Sequence, residues 1–313
     1  MKKKVFAALL VASVGVVSLG GTTAVYASED KPYVIEINPL ISLAVFANSD
    51  EGIQAAADDL GFDLKILGCT ELTDTAAYEM FQSAITEQPD AIVVCPWDYS
   101  AIAPLYQEAQ DKGIAVFDYS SDSGEDSGRV TFVGTDNTTY GQLAADYINE
   151  KSGGNAKVLT MMANLDTSNQ LEQRTAFEEK CASDYPGIET VLVDEDNGDS
   201  VTALQKFEDD LKAHPEIDTI FCLESIGGVA AANAVEELGL EGITILAIDD
   251  NDDTIQYIKD GKIWATMAQN FYKMGYQSGV AVDAYLKGEE VDKTYDSGTL
   301  LISSENVDNY SFD

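Results

Sequence analysis

The sequence predicts an α/β protein made of two doubly wound lobes, each with a parallel sheet covered by helices on both faces. Short apolar runs rich in β-branched residues alternate with amphipathic helical patterns, and glycine or proline separates the units. Repeated strand–helix units imply right-handed crossovers, and therefore parallel strands. The alternation also occurs twice along the chain, with about five strands in each set, which favours two lobes over one large sheet.

The first set begins the folded part of the chain. Its predicted strands are residues 33–38, 63–67, 91–95, 114–118 and 130–133, and its predicted helices are residues 50–60, 73–88 and 101–112. Asn48 or Ser49 is a candidate N-cap for the first helix, and Gly61 is a typical end for it. The polar segment 120–128, SSDSGEDSG, is expected to be a mobile rim loop.

The second set repeats the pattern. Its predicted strands are residues 157–162, 190–193, 219–223 and 243–248, and its predicted helices are residues 139–151, 168–181, 200–213 and 228–238. A final helix at residues 273–286 and the tail to residue 313 must attach to one of the two lobes.

The stretch 243–270 carries the most specific signal for a site. One apolar run ends at Asp249, and a second, residues 263–267, leads into Gln269. Ligands of open parallel sheets bind at the carboxyl ends of the strands. We therefore predict that Asp249 and Gln269 point polar atoms into one cleft. Asp252 and Asp253 are predicted to lie in the first turn of the intervening helix, where they complement the helix dipole.

The amino terminus is typical of an export signal. Three lysines at positions 2–4 precede an apolar run at residues 5–20, and the triplet VYA at 25–27 has the small-residue pattern of a cleavage site. Residues 1–27 are therefore predicted to be a signal peptide, and the mature protein to be exported to the periplasm or the outer face of the cell envelope. An uncleaved anchor is the alternative.

Charge restricts the partners. The full chain has a formal net charge of −37, and removal of three lysines with the signal peptide gives −37 − 3 = −40. Nucleic acids and anionic membranes require basic patches, so both are excluded as partners. The acidic residues are expected to form a solvated surface that keeps an exported protein soluble, with a field that gathers cationic solutes as the alternative.

Cysteine and histidine usage argues against metals. The four cysteines form no CxxC pair and there is one histidine, so we expect no zinc site. Cys95 and Cys222 are expected to be small buried hydrophobes, while a Cys181–Cys222 disulfide is permitted by the exported compartment. The acidic run 249–253 has Thr254 where a calcium loop needs glycine. No metal and no cofactor is predicted.

Several other side chains are candidates for ligand binding. Arg174, one of two arginines, lies near the start of a helix after a strand, so it either binds hydroxyls or carboxylates in the cleft or pairs with Glu178. Glu224 ends a strand, as Asp249 does. Two such carboxylates can hydrolyse glycosides, but hydrogen bonding to sugar hydroxyls is the commoner role, and no catalytic residue is assigned. Phe46 and Trp97 are candidates for stacking on a sugar ring.

Several segments together resemble the type 1 periplasmic sugar-binding proteins of bacterial ABC transporters, of the ribose-binding kind. The resemblance runs from about Tyr33 to Val291, and its carriers are EGIQAAADDLGFDL, QPDAIVVCPWDYSAIAPLYQEAQDKGIAVF, VGTDNTTYGQLAADYI, LEQRTAFEE, AHPEIDTIF, ILAIDD and DGKIWATMAQN. It implies two lobes joined by three hinge strands and closing on a ligand. The implied division is 28–135 plus 269–297 for the N-terminal lobe and 136–268 plus 298–313 for the C-terminal lobe.

The resemblance also implies ligand contacts. Arg174, Asp249 and Gln269 match polar contacts of the family, and Phe46 matches a stacking aromatic. Other positions depart from the family pattern: Ser120 and Ser121 replace an Asp-Arg pair, Glu224 replaces an asparagine, Leu43 replaces an asparagine, and Val45 replaces the second aromatic. D-ribose is therefore doubtful as the ligand, whereas another small polyol, or a ligand carrying an amine, would suit Glu224 better.

The function implied is that of a monomeric, non-enzymatic binding protein that captures a small sugar or polyol and delivers it to a membrane ABC permease. Two alternatives remain: a secreted hydrolase acting on sugars, and a sensor that presents a sugar to a membrane receptor.

Overall fold

The computed structural model describes residues 31–312; the predicted signal peptide, residues 1–27, lies outside that range. The first part of the described chain alternates strands and helices, as its apolar runs predict. Its elements are β1 (Tyr33–Asn38), α1 (Ala44–Leu60), β2 (Asp63–Gly68), α2 (Asp74–Thr86), β3 (Ala91–Val94), α3 (Tyr99–Asp111), β4 (Ala115–Tyr119), a short 3-10 helix (Glu125–Ser127) and β5 (Phe132–Gly134).

The second part repeats the alternation but starts with a helix. Its elements are α4 (Asn137–Ser152), β6 (Ala156–Met162), α5 (Ser168–Asp184), β7 (Ile188–Glu195), α6 (Ser200–Ala213), β8 (Thr219–Cys222), α7 (Gly227–Glu237), β9 (Thr244–Ile248), α8 (Asp252–Lys259) and β10 (Ala265–Gln269). Asp252 and Asp253 lie in the first turn of α8, as predicted.

The last elements, α9 (Phe271–Leu286), β11 (Thr294–Asp296) and β12 (Thr299–Ser303), complete two sheets. One sheet has the order β11-β5-β4-β3-β1-β2 and belongs to the N-terminal lobe; the other has the order β12-β10-β9-β8-β6-β7 and belongs to the C-terminal lobe. All neighbouring strands are parallel except β10 and β12. The predicted two-lobe α/β fold is thereby confirmed, while the exact bounds of the lobes stay a prediction.

The chain passes between the two sheets at three places, which are the β5–α4, β10–α9 and β11–β12 connections. Because β11 lies beside β5 and β12 lies beside β10, all three passages occur at the same side of the molecule. The carboxyl ends of the parallel strands in both sheets therefore face the space between the lobes.

Helices α1 and α9 pack with their backbones in contact, since glycines stand at the crossing. A Cβ atom on Gly275 would lie 2.0 Å from the carbonyl oxygen of Ser49, and one on Gly52 would lie 2.0 Å from that of Tyr272. Since α9 follows the second passage and α1 follows β1, this contact attaches the returning chain to the N-terminal lobe.

Helix α1 starts six residues earlier than the sequence patterns indicate. Its N-cap is Leu43, which makes no side-chain capping bond, so the predicted cap at Asn48 or Ser49 is wrong. The first turn is stabilised by packing, because Val45 is buried and Phe46 lies against the apolar core of the lobe. The Ser49 hydroxyl instead donates to Oε1 of the buried Glu36 at 3.0 Å.

The segment 120–128 is a loop with a short 3-10 helix, and many hydrogen bonds hold it, while its mobility stays a prediction. The guanidinium of the buried Arg129 binds both carboxylate oxygens of Asp122, at 2.5 and 2.8 Å, and donates to the carbonyl oxygen of Lys293 at 2.7 Å. The Ser123 amide also donates to Asp118 at 2.8 Å. Composition alone does not show that a loop rich in serine and aspartate closes on a buried arginine.

All four cysteines are free and buried, so the permitted Cys181–Cys222 disulfide does not form. Cys95 and Cys222 lie in the cores, as predicted. Within residues 31–312, no helix has the length and apolar character needed to cross a membrane.

Candidate functional site

Asp249 follows β9 directly and is held by three neighbouring side chains. Its backbone has φ +62°, a conformation that aspartate tolerates better than most residues. Gln269 Nε2 donates to its Oδ1 at 3.1 Å, and the Ser225 hydroxyl donates to its Oδ2. The Thr266 hydroxyl donates to its backbone oxygen at 2.7 Å. The residue as a whole is 4% exposed, so Asp249 is almost completely closed to solvent.

Gln269 connects this carboxylate to the hinge. Its Oε1 accepts a hydrogen bond from Thr135 Oγ1 at 2.8 Å, while its Nε2 binds Asp249. Thr135 lies at the first passage between the lobes and Gln269 at the second. The two residues placed by the sequence at neighbouring strand ends are therefore in direct contact, and Thr135 is a further member of the cluster.

Arg174 lies in the second turn of α5 and is partly exposed. Its Nε is 3.7 Å from Glu178 Oε1, a loose ion pair, and its Nη1 is 3.9 Å from the sulfur of Met162 at the end of β6. Nε is buried and has no hydrogen-bond partner among the described residues. Both sequence alternatives thus have support, because the side chain reaches the strand end and also approaches Glu178. Among residues 31–312 no hydrogen bond joins it to Asp249.

Glu224 follows the end of β8 and is buried, and its Oε2 accepts a hydrogen bond from the Ile226 amide at 2.8 Å. Burial, and then the neighbouring carboxylate of Asp196, raise the pKa of Glu224 well above its ordinary value. Burial also raises the pKa of Asp196. Asp196 was not predicted as a site residue, because β7 extends two residues beyond the carboxyl end of the predicted strand 190–193.

The N-terminal side of the cleft is more apolar. Phe46 packs edge-to-face against Phe271, with ring centroids 5.5 Å apart, and against Tyr119 at 6.4 Å. Trp97, after β3, is half-buried on the same apolar cluster. Ser120 follows β4 with φ +62°, and its amide donates to the carbonyl oxygen of Val133 at 3.0 Å. All three candidates therefore lie at or near carboxyl ends of strands.

Several buried carboxyls make stability depend on pH. Burial raises the pKa of Asp118 to about 7 and those of Asp249 and Asp210 to about 6, and it raises the pKa of Glu36 well above the usual range. A folded-state pKa above the unfolded value means that the folded state keeps a proton that the unfolded state releases, so stability falls as the pH rises.

We expect the free energy of unfolding to decrease from pH 5.5 to pH 8. Each group that titrates in this window contributes up to about 1.4 kcal/mol per pH unit. Urea unfolding followed by circular dichroism at both pH values measures the change. A free energy of unfolding that rises across the window would contradict the assignment of these carboxyls as protonated.

No cluster of three or more histidine, cysteine, aspartate or glutamate side chains suited to a metal ion occurs among residues 31–312.

Comparison with known proteins gives relatives over nearly the whole chain. The ribose import binding protein RbsB of Salmonella typhimurium is 26% identical over 287 residues, covering 90% of this chain and 94% of the relative. The protein of that name from Bacillus subtilis is 27% identical over 250 residues, covering 80% of each chain.

Two solved structures are similar in fold and in sequence. GanP, a glucose-galactose binding protein from Geobacillus stearothermophilus, has a TM-score of 0.85 at 25% identity, covering 89% of this chain and 99% of its own. An ABC transporter solute binding protein from Burkholderia graminis, in complex with D-arabinose, has a TM-score of 0.85 at 26% identity, covering 91% and 99%.

The model of the periplasmic binding protein domain matches residues 37–290, which include strands β2 to β10 and all the cleft residues described above. The chain belongs to the periplasmic binding protein family.

Proposed function

We propose that this protein captures a small sugar or polyol between its two lobes and delivers it to an ABC permease. The observation that carries the proposal is the Asp249 carboxylate, which is fixed by Ser225 and Gln269 at the carboxyl end of a central strand. Charge-assisted hydrogen bonds from such a carboxylate to hydroxyls are strong in a site that closes and excludes water. Relatives that are named for ribose, xylitol and fructose binding support the ligand class.

Seven residues form the proposed site. Asp249, Gln269 and Arg174 bind hydroxyls, Glu224 and Ser120 are further polar contacts, and the rings of Phe46 and Trp97 pack on the apolar face of the ligand. The site binds and releases its ligand unchanged, and the protein acts as an exported monomer.

The lobes proposed to close on the ligand are residues 28–135 plus 269–297 and residues 136–268 plus 298–313. Hinge motion about the three passages brings together the two halves of the site, since Phe46, Trp97 and Ser120 lie on one lobe and Arg174, Glu224 and Asp249 lie on the other.

A thermal-shift screen tests the ligand class. The panel is D-ribose, D-allose, D-arabinose, D-fructose, D-tagatose and xylitol, and a ligand at about 100 times its Kd adds about 2.7 kcal/mol to the free energy of unfolding. We expect at least one neutral member to raise Tm, and chromatography of the incubated mixture to return it unchanged. A panel without any shift would reject the sugar and polyol assignment, and appearance of a product would show an enzyme in place of a binding protein.

A further inference from the structure

Two buried carboxyls lie together at the cleft edge of the C-terminal sheet, and the proposed function leaves one of them unused. Strand β8 lies between β6 and β9, so Glu224 is at the centre of this edge, and Asp196 follows β7 on the other side of β6. Glu224 is 7% exposed and Asp196 is completely buried. Glu224 is therefore the more accessible residue of the pair.

Each carboxyl has one oxygen with a hydrogen-bond donor and one without. Glu224 Oε2 accepts from the Ile226 amide and Asp196 Oδ1 accepts from the Gly198 amide, each at 2.8 Å. Glu224 Oε1 and Asp196 Oδ2 are closed to solvent and find no donor within residues 31–312. Two adjacent acceptors without a donor are strongly unfavourable when buried, unless a proton lies between them.

No basic side chain supplies the missing positive charge. On the flanking helices, Lys206 pairs with Asp194 at 2.9 Å, and Arg174 lies 3.7 Å from Glu178. No ion pair to Glu224 or Asp196 is found in the described part of the chain.

One oxygen of Glu224 is also in close contact with the backbone of α7. A Cβ atom on Gly227 would lie 2.2 Å from Glu224 Oε1, so this oxygen rests directly on the backbone of the first residue of α7. The same Cβ position is 3.2 Å from the sulfur of Cys222.

We propose that Glu224 and Asp196 share a single proton, that this proton fixes Glu224 as an uncharged group in the binding wall, and that the site consequently prefers an uncharged polyhydroxy ligand to an aminated one. The choice of ligand class rests on the proposed function, but the shared proton does not. The protonated Glu224 is then an uncharged polar group, as an asparagine would be. It cannot be the anionic partner of the ligand amine that the sequence suggested.

The surroundings oppose loss of this proton. The titratable groups near the pair are the Cys222 thiol on β8, the Asp199 carboxylate at the N-cap of α6, and Asp249 on β9 beyond Ser225. The carboxylates repel a second negative charge, and Arg174 on α5 contacts Met162 at the end of the neighbouring strand β6. Ionisation of both carboxyls would force Glu224 out of its position on Gly227.

The first test needs no ligand. In Glu224→Gln the amide replaces the shared proton by donating to Asp196, and its carbonyl oxygen still accepts from Ile226. We expect the unfolding constant of the wild type to rise with pH between 5.5 and 8 more steeply than that of the variant, by up to about tenfold per pH unit. The exposed Glu241→Gln is the control and should retain the wild-type slope. Parallel profiles for Glu224→Gln and the wild type would reject the shared proton.

Two further measurements keep this test decisive if Glu224→Gln does not fold. Asp196→Asn also supplies a donor to Glu224 Oε1, and its stability should likewise lose the extra slope. In the wild type, the side-chain carboxyl carbon of Glu224 followed by NMR should show a protonated acid at pH 7, whereas the shift of an ionised carboxylate would overturn the proposal.

The second test addresses the ligand. D-glucosamine, D-galactosamine and D-mannosamine are compared with the neutral panel by thermal shift, at equal concentration and at pH 7. We expect neutral sugars to stabilise the wild type more than amines do. An amine that stabilises the wild type more than every neutral sugar would overturn the preference. If no compound shifts Tm, the proposed function fails, while the ligand-free pH profiles still decide the shared proton.

Discussion

Asp249→Asn is expected to weaken binding of the sugar found in the thermal-shift screen by about 10- to 100-fold, because hydrogen bonds to a charged group contribute about 1.5–3 kcal/mol. The same change should stabilise the ligand-free protein at pH 8. Burial raises the pKa of Asp249 to about 6, so keeping this carboxylate ionised is unfavourable in the folded state, on the order of 2 kcal/mol at alkaline pH. Titration calorimetry and urea unfolding at pH 8 measure the two effects.

Asp249→Asn removes the negative charge of residue 249 and keeps the size of its side chain. Asparagine tolerates the left-handed backbone at position 249, and it can accept from Gln269 while donating to Ser225. Asp253→Asn is the matched control, since Asp253 is an exposed residue in the first turn of α8 and should leave affinity unchanged. Unchanged affinity in Asp249→Asn would remove Asp249 from the proposed site.

Gly275→Ala is expected to lower the free energy of unfolding by about 2–3 kcal/mol and Tm by several degrees. The added Cβ would lie 2.0 Å from the Ser49 carbonyl oxygen, which belongs to the backbone of α1 and cannot rotate away. The two helices must therefore separate, and this loss exceeds the gain of about 1 kcal/mol that alanine gives over glycine in a helix. Thermal and urea unfolding at pH 6 report the change.

A control on the same helix separates packing from helix propensity. Lys273 is exposed two residues earlier in α9, and Lys273→Ala should change the free energy of unfolding by less than about 0.5 kcal/mol. Equal stability of Gly275→Ala and the wild type would show that α1 and α9 are not held in backbone contact.

The sequence predicts most of the architecture because buried strands carry a local signal. The apolar run 91–94 is continuous in sequence and completely buried in the structure, apart from a small exposed part of Val94. Asp249 and Gln269 were also predictable, since each ends such a run and parallel strands end at one edge. These inferences need only the pattern of neighbouring residues.

The remaining features depend on contacts between residues distant in sequence. The start of α1 is set by packing of Val45 and Phe46 in the lobe core, which overrides the capping preference of Asn48 and Ser49. The closure of segment 120–128 depends on Arg129 reaching Lys293. A contact between two residues 164 positions apart leaves no periodic pattern in the sequence.

The same limit applies at the site. Asp196 and Glu224 come from different strands with a third strand between them, so their meeting follows from the strand order of the sheet. The sequence showed a carboxylate, Glu224, at a strand end, but it did not show that this group meets Asp196 or that the two lack a basic partner.

The bonds among Thr135, Gln269 and Asp249 imply that one half of the site is preorganised. Ser225 and Gln269 immobilise the carboxylate during folding, so a ligand does not have to freeze that side chain, which saves about 0.5–1.5 kcal/mol per residue. Arg174 has no comparable support, because its Nε lacks a hydrogen-bond partner and the side chain is partly exposed. Asp249 is therefore suited to set the dissociation rate of the ligand. Arg174, in contrast, loses conformational entropy each time a ligand binds.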